Sequence, residues 1–131
     1  MVLKMADWNT MASNSYKAAN LLMQEQCDRS CISRAYYAAY SRATKALAMS
    51  GGATFSAGRE GPTHSGLPGM VETHLASLGE HRWRVSDYLR TLYMLRLIAD
   101  YRPSDEIENT DARKALELMG LVFVLTKGAI A

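Results

Sequence analysis

The stretch DRSCISRAYYAAYSRATKALAM, residues 28–49, decides the fold. Ile32, Ala35, Tyr36, Ala39, Ala43, Ala46 and Leu47 recur every three or four positions, the spacing of one helical face. Neither proline nor glycine interrupts them, so a helix is predicted from about Asp28 to Met49. Its alanines favour helix and let a neighbouring helix approach closely.

Working outward, the residues on the N-terminal side carry the same period. Trp8, Ala12, Ser15, Ala19, Leu22 and Met23 predict a first helix over about residues 8–26, with Asp7 placed to cap it. On the C-terminal side the composition changes. Residues 51–69, GGATFSAGREGPTHSGLPG, hold six of the nine glycines and two of the three prolines, and they predict a long loop. A short helix from about Met70 to Leu78 follows, stopped by Gly79. Val85 to Asp100 form a further helix with Tyr88, Leu92, Leu95 and Ala99 inward, ended by Pro103. The last helix begins after Asn109 or Thr110 and runs to about Lys127. Its second half is apolar nearly all round and must be covered on more than one side, in the middle of the bundle or at a subunit interface.

These readings predict an all-α, four- to five-helix up-and-down bundle with a long glycine-rich loop at about 51–69, in one domain over 1–131. At 131 residues the chain can bury a core without metals or disulfides. An apolar content of 48% with 21% charge excludes collagen-like and disordered classes. A net charge of +2 does not argue for nucleic acid, although 10 of the 15 cations are Arg, the residue suited to bidentate phosphate contact. Met1–Asp7 shows no leader pattern, and the longest apolar run, Leu118–Leu125, contains Gly120 and is too short to span a bilayer. Cys27 and Cys31 make neither a disulfide framework nor a zinc site, so reduced thiols in the cytoplasm are expected.

The segment Ser33-Arg34-Ala35-Tyr36-Tyr37-Ala38-Ala39-Tyr40 resembles the most recognisable stretch of the HEPN superfamily (higher eukaryote and prokaryote nucleotide-binding domains). Thr63-His64-Ser65-Gly66-Leu67, Leu95 to Tyr101, and Ala112 to Phe123 continue the resemblance in the family's order, over roughly residues 8–125. The resemblance is best to the small stand-alone bacterial and archaeal members. It implies a helical bundle that commonly dimerises, and that often works beside a minimal nucleotidyltransferase as a toxin–antitoxin pair. Many members are metal-independent endoribonucleases, so no metal and no cofactor are expected. Their signature is a helix-terminal Arg followed four to six residues later by a His. Arg stabilises charge on the phosphate, and His moves the 2′-hydroxyl proton.

By that resemblance Arg96 is the family's Arg, whereas Tyr101 stands at the His position, with Asp100 before it. A tyrosine with a pKa of ~10 is only about one part in a thousand phenolate at neutral pH, a weak base. In some members a tyrosine two residues beyond the His is modified with AMP; here that position is Pro103. Arg96, Asp100 and Tyr101 are therefore the expected catalytic group, with Arg90, Tyr93, Arg102 and His64 as the RNA- or nucleotide-binding residues. Each has an ordinary alternative. Arg96 and Asp100 stand four apart and can form a plain intrahelical pair, though Arg before Asp opposes the helix dipole, which points to another partner for Asp100. Arg90 and Tyr93 can belong to a solvated face, and His64 to a solvated loop, unless the loop reaches the groove and brings a proton carrier. Tyr36, Tyr37 and Tyr40 read mainly as packing residues, and Arg34 as a cation reaching for an acidic partner. Two function classes follow: an RNA-binding protein or endoribonuclease acting in a groove between two subunits, with Arg96 open to an anion, and a non-catalytic module that binds a nucleotide or the nucleotidyltransferase.

Overall fold

The computed structural model describes residues 7–55 and 58–130; the opening residues read above for a leader, and two positions of the glycine-rich stretch, lie outside them. The described residues form α1 (Trp8–Gln24), α2 (Asp28–Ser50), α3 (Leu67–His74), a 3-10 turn (Ala76–Leu78), α4 (His81–Tyr101), α5 (Asn109–Leu125) and α6 (Lys127–Ile130). No strand occurs among them, and the predicted all-α bundle is what forms.

The residues quoted first build the centre. α2 packs against α1, α3, α4, α5 and α6. Its alanines at 35, 38, 39, 43 and 46 are fully buried beside Ile32, Tyr36 and Leu47. Their small side chains bring the surrounding helices close on every side of α2. The middle of the bundle is therefore α2, not the apolar half of α5. That half buries Leu118, Met119 and Val122 and leaves Val124 at 70% exposure.

Capping chemistry explains several boundaries. Asp7 accepts a hydrogen bond from the Thr10 amide at 2.8 Å and starts α1 as its sequence suggests. α3 begins at Leu67, three residues earlier than predicted. Pro68 sits in its first turn, where a missing N–H costs nothing, and Thr63 Oγ1 accepts from the Gly66 amide at 3.0 Å. α4 begins at His81, four residues before the predicted start and two after Gly79, which has a positive φ of 58°. The charged turn His81–Arg84 has no apolar period to betray it.

The far end of α4 is held from a distance. The Arg29 guanidinium on α2 donates to the carbonyls of Ile98, Ala99 and Arg102, each at 3.1 Å, and also to those of Pro103 and Asp105. One half-buried cation thus satisfies carbonyls that a helix end leaves without partners, and it opposes the negative end of the dipole. This clamp fixes the turn on which Asp100 and Tyr101 stand.

Candidate anion-binding site

Arg96 lies in the last two turns of α4 and points inward, with 8% exposure. Its Nε donates to Asp100 Oδ2 at 3.0 Å, and its Nη2 donates to the Tyr37 hydroxyl at 2.9 Å and the Tyr101 hydroxyl at 3.2 Å. Its Cζ stands over the rings of Tyr37 at 5.3 Å, Tyr101 at 5.2 Å and Tyr36 at 5.9 Å. Burial works against the charge on this guanidinium, but Tyr37, Tyr101 and Asp100 together outweigh it and keep Arg96 cationic. The expectation of an Arg96 open to an anion is corrected here. Within one subunit the side chain is largely enclosed, because α2 brings Tyr37 over it and the helix end folds Tyr101 across it. Only Nη1 makes no hydrogen bond among the described residues.

Asp100 has the second partner that its unfavourable order implies. Ser33 Oγ on α2 donates to the same Oδ2 at 3.1 Å. The carboxylate therefore ties two helices together and orients Arg96. Tyr101 is 64% exposed and covers the cluster from outside.

The open cation at this place is Arg34. It is exposed, its Cζ stands 5.1 Å from the Tyr37 ring centroid, and it has no acidic partner within salt-bridge distance among the described residues. The acidic partner foreseen for it is not there. Arg34 and Arg96 instead share one aromatic ring, which joins an enclosed guanidinium to an exposed one. From the sequence Arg34 and Tyr37 read as mainly structural and Ser33 carries no role; the available signal is their common face on α2 at positions 33, 34 and 37.

His64 is brought to the edge of the same cluster. Trp8 Nε1 donates to the Glu60 carbonyl at 3.3 Å, and the Tyr40 hydroxyl donates to the Pro62 carbonyl at 2.5 Å. The loop is thereby pinned on the residues just before His64. Its ring packs among Tyr36, Tyr37, Tyr40 and Tyr93, with centroid distances from 4.9 to 5.9 Å. Burial first, then Arg96 and Arg59, hold its pKa below the ordinary histidine value.

Of the other predicted residues, Tyr93 meets the His64 ring, while Arg90 and Arg102 are each held by acidic partners. Arg90 is tied to Glu72 at 2.9 Å and Asp87 at 3.4 Å, fastening α3 to α4. Arg102 is exposed beyond the end of α4, 3.8 Å from Asp105. Tyr93 is half-buried, nearly parallel to His64 at an interplanar angle of 14°. No group of three metal-ligating side chains comes together among the described residues. A 490 Å³ cavity lined by Met23, Asp28, Asn109 and Arg113 contains none of these groups.

This chain belongs to the HEPN domain family, which it matches over residues 5–128. No curated protein and no solved structure matches it. Membership supports RNA-binding or nuclease-type function in general, in a family whose domains often dimerise. Among the described residues no helix is long and apolar enough to cross a membrane.

Proposed function

We propose that this protein is a cytoplasmic RNA-binding HEPN protein whose phosphate site is the pair Arg34 and Arg96 around Tyr37. The observation that carries the reading is the shared ring. Two guanidiniums within 5.3 Å of one aromatic centroid, one of them without a carboxylate partner, concentrate positive charge around Tyr37 that suits a phosphate diester. Arg34 makes the open contact, and Arg96 offers only Nη1. Tyr101 and Tyr37 add hydroxyls beside Arg96 Nη2. Met94 at 57% exposure, with Leu97 and exposed Tyr101, lies at positions i, i+3 and i+7 of α4, and a second copy covers this stripe to make a groove between subunits.

Cleavage in such a groove runs by transesterification. The 2′-oxygen forms a bond to phosphorus, the bond from phosphorus to the 5′-oxygen breaks, the 2′-hydroxyl gives up its proton and the leaving oxygen gains one. Arg96 and Arg34 stabilise the charge on phosphorus. Tyr101 orients the phosphate and is a weak proton carrier, so binding exceeds turnover.

A second reading is a non-catalytic module that binds a nucleotide or docks a nucleotidyltransferase antitoxin. The enclosure of Arg96 and the exposure of Tyr101 favour it. RNA degradation by purified protein in EDTA separates the two. Under the leading reading the wild type binds an oligoribonucleotide and cuts it slowly. Tyr101→His then cuts about 100-fold faster and leaves 2′,3′-cyclic ends, and Arg96→Ala abolishes both activities. Absence of binding to any RNA, with tight binding to the transferase, would establish the second reading.

A further inference from the structure

Tyr36 is 1% exposed, and its hydroxyl has a single partner among the described residues, His64 Nδ1 at 2.7 Å. Burial foremost raises the phenol pKa well above its ordinary value, so the group keeps its proton. A buried O–H requires an acceptor, and here only Nδ1 is available. The hydroxyl therefore donates to Nδ1, and the neutral imidazole carries its own hydrogen on Nε2. Protonating both ring nitrogens would leave the Tyr36 hydrogen without an acceptor, which disfavours the cation alongside the nearby Arg96 and Arg59 charges. A loop histidine that brings a base to the groove is thus not what is built: His64 presents an N–H donor.

His64 borders a recess of about 290 Å³, lined also by Ser65, Pro68, Arg90, Tyr93 and Met94. Its size lies at the small end of ligand pockets, which span ~300–1,000 Å³. Nε2 has no hydrogen-bond partner among the described residues. The His64 and Tyr93 rings lie 14° from parallel, and Pro68 and Met94 add apolar surface. Tyr93 precedes Arg96 by three residues on α4, a rise of about 4.5 Å. The recess is therefore one helical turn from the guanidinium pair.

We propose that this recess is a subsite for one nucleobase bearing a carbonyl oxygen where cytosine and adenine carry an amino group, O4 of uracil or O6 of guanine, belonging to an RNA strand whose phosphate rests at Arg34 and Arg96. The base stacks on the Tyr93 face, and its carbonyl accepts edge-on from His64 Nε2–H, which lies in the plane of the imidazole. Sequence-tolerant stacking and one directed hydrogen bond are the usual components of single-strand RNA recognition. A flat aromatic face beside one directed donor suits a base, and the adjoining cations suit its phosphate. This inference rests on the phosphate-site reading, and its test keeps the two apart.

Three oligoribonucleotides of equal length are titrated in EDTA: oligouridylate, oligocytidylate and an abasic ribose-phosphate chain. Oligouridylate is expected to bind at least tenfold more tightly than the abasic chain, and more tightly than oligocytidylate. His64→Phe keeps the ring and removes the donor; it abolishes the preference for uracil over cytosine. Ser65→Trp fills the recess from an exposed loop position and reduces the advantage over the abasic chain to under twofold, with abasic affinity unchanged. Equal binding of all three by the wild type would overturn the subsite and leave the phosphate site standing. Failure of every chain to bind would overturn both. A free-protein 15N spectrum with the proton of His64 on Nδ1 would also overturn the proposal.

Discussion

Arg34 and Arg96, on different helices, stand 5.1 and 5.3 Å from the centroid of the same ring, Tyr37. Their burial differs sharply, which separates two roles. Arg96 is held by three side chains and supports the fold as well as the field, while Arg34 is free to meet a ligand.

Replacing Arg96 therefore disturbs more than charge. In Arg96→Ala the Asp100 carboxylate loses its cation, and the Tyr37 and Tyr101 hydroxyls lose their common donor. A loss of about 1.5–3 kcal/mol is expected in urea denaturation, the range for hydrogen bonds to charged groups. Arg96→Lys keeps the charge but cannot reach both hydroxyls and the carboxylate, and it recovers less than half. Unaltered stability in the alanine variant would show that the cluster does not hold the helix end.

His64 makes stability depend on pH. Its folded pKa lies below the unfolded value of ~6.5, so the unfolded chain binds more protons in mild acid. The contribution is complete above pH ~6.5 and disappears as pH falls toward the folded pKa. Glu72, whose pKa is lowered by the Ser86 hydroxyl and Arg90, loses its contribution only below ~4.5, so the two windows are separate. The urea midpoint is expected to fall between about pH 7.5 and 5 in the wild type and to stay nearly flat in His64→Gln. A parallel fall in both proteins would remove His64 as the cause.

Arg29 is expected to be among the costliest single truncations outside the packed core. Arg29→Ala leaves the carbonyls from Ile98 to Asp105 without their common donor. The cost expected is about 2–3 kcal/mol, with amide exchange over residues 102–108 accelerated before the rest of the chain. Uniform acceleration through all helices would mean that the clamp acts globally and not on this turn.

Much of the fold was legible because it rests on local chemistry. The alanine-rich period of α2 and the Asp7 cap are both written within a few residues of where they act. The helix expected to run up to Gly79 instead ends at His74 and gives way to a 3-10 turn. The start of α3 was not legible either, since Pro68 breaks a helix interior but suits a first turn. Only part of the site was readable, for a related reason. Asp100 and Tyr101 flank Arg96 in sequence, but Tyr37 and Ser33 reach this cluster across 59 and 67 positions. His64 is carried there by contacts of Trp8 and Tyr40 with the loop backbone. The pairs of Arg90 with Glu72 and of Arg102 with Asp105 were equally hidden, since they join α4 to a neighbouring helix and to the following turn.

The central claim is that Arg34 and Arg96 together hold an RNA phosphate, and the salt dependence of binding tests it most directly. With a short oligoribonucleotide in EDTA, log affinity is plotted against log salt for the wild type and Arg34→Gln. One lost phosphate contact should make the slope shallower by about 0.7, as expected for single strands, with folding stability changed by less than ~0.5 kcal/mol. Superimposable lines of equal slope and affinity would contradict the account.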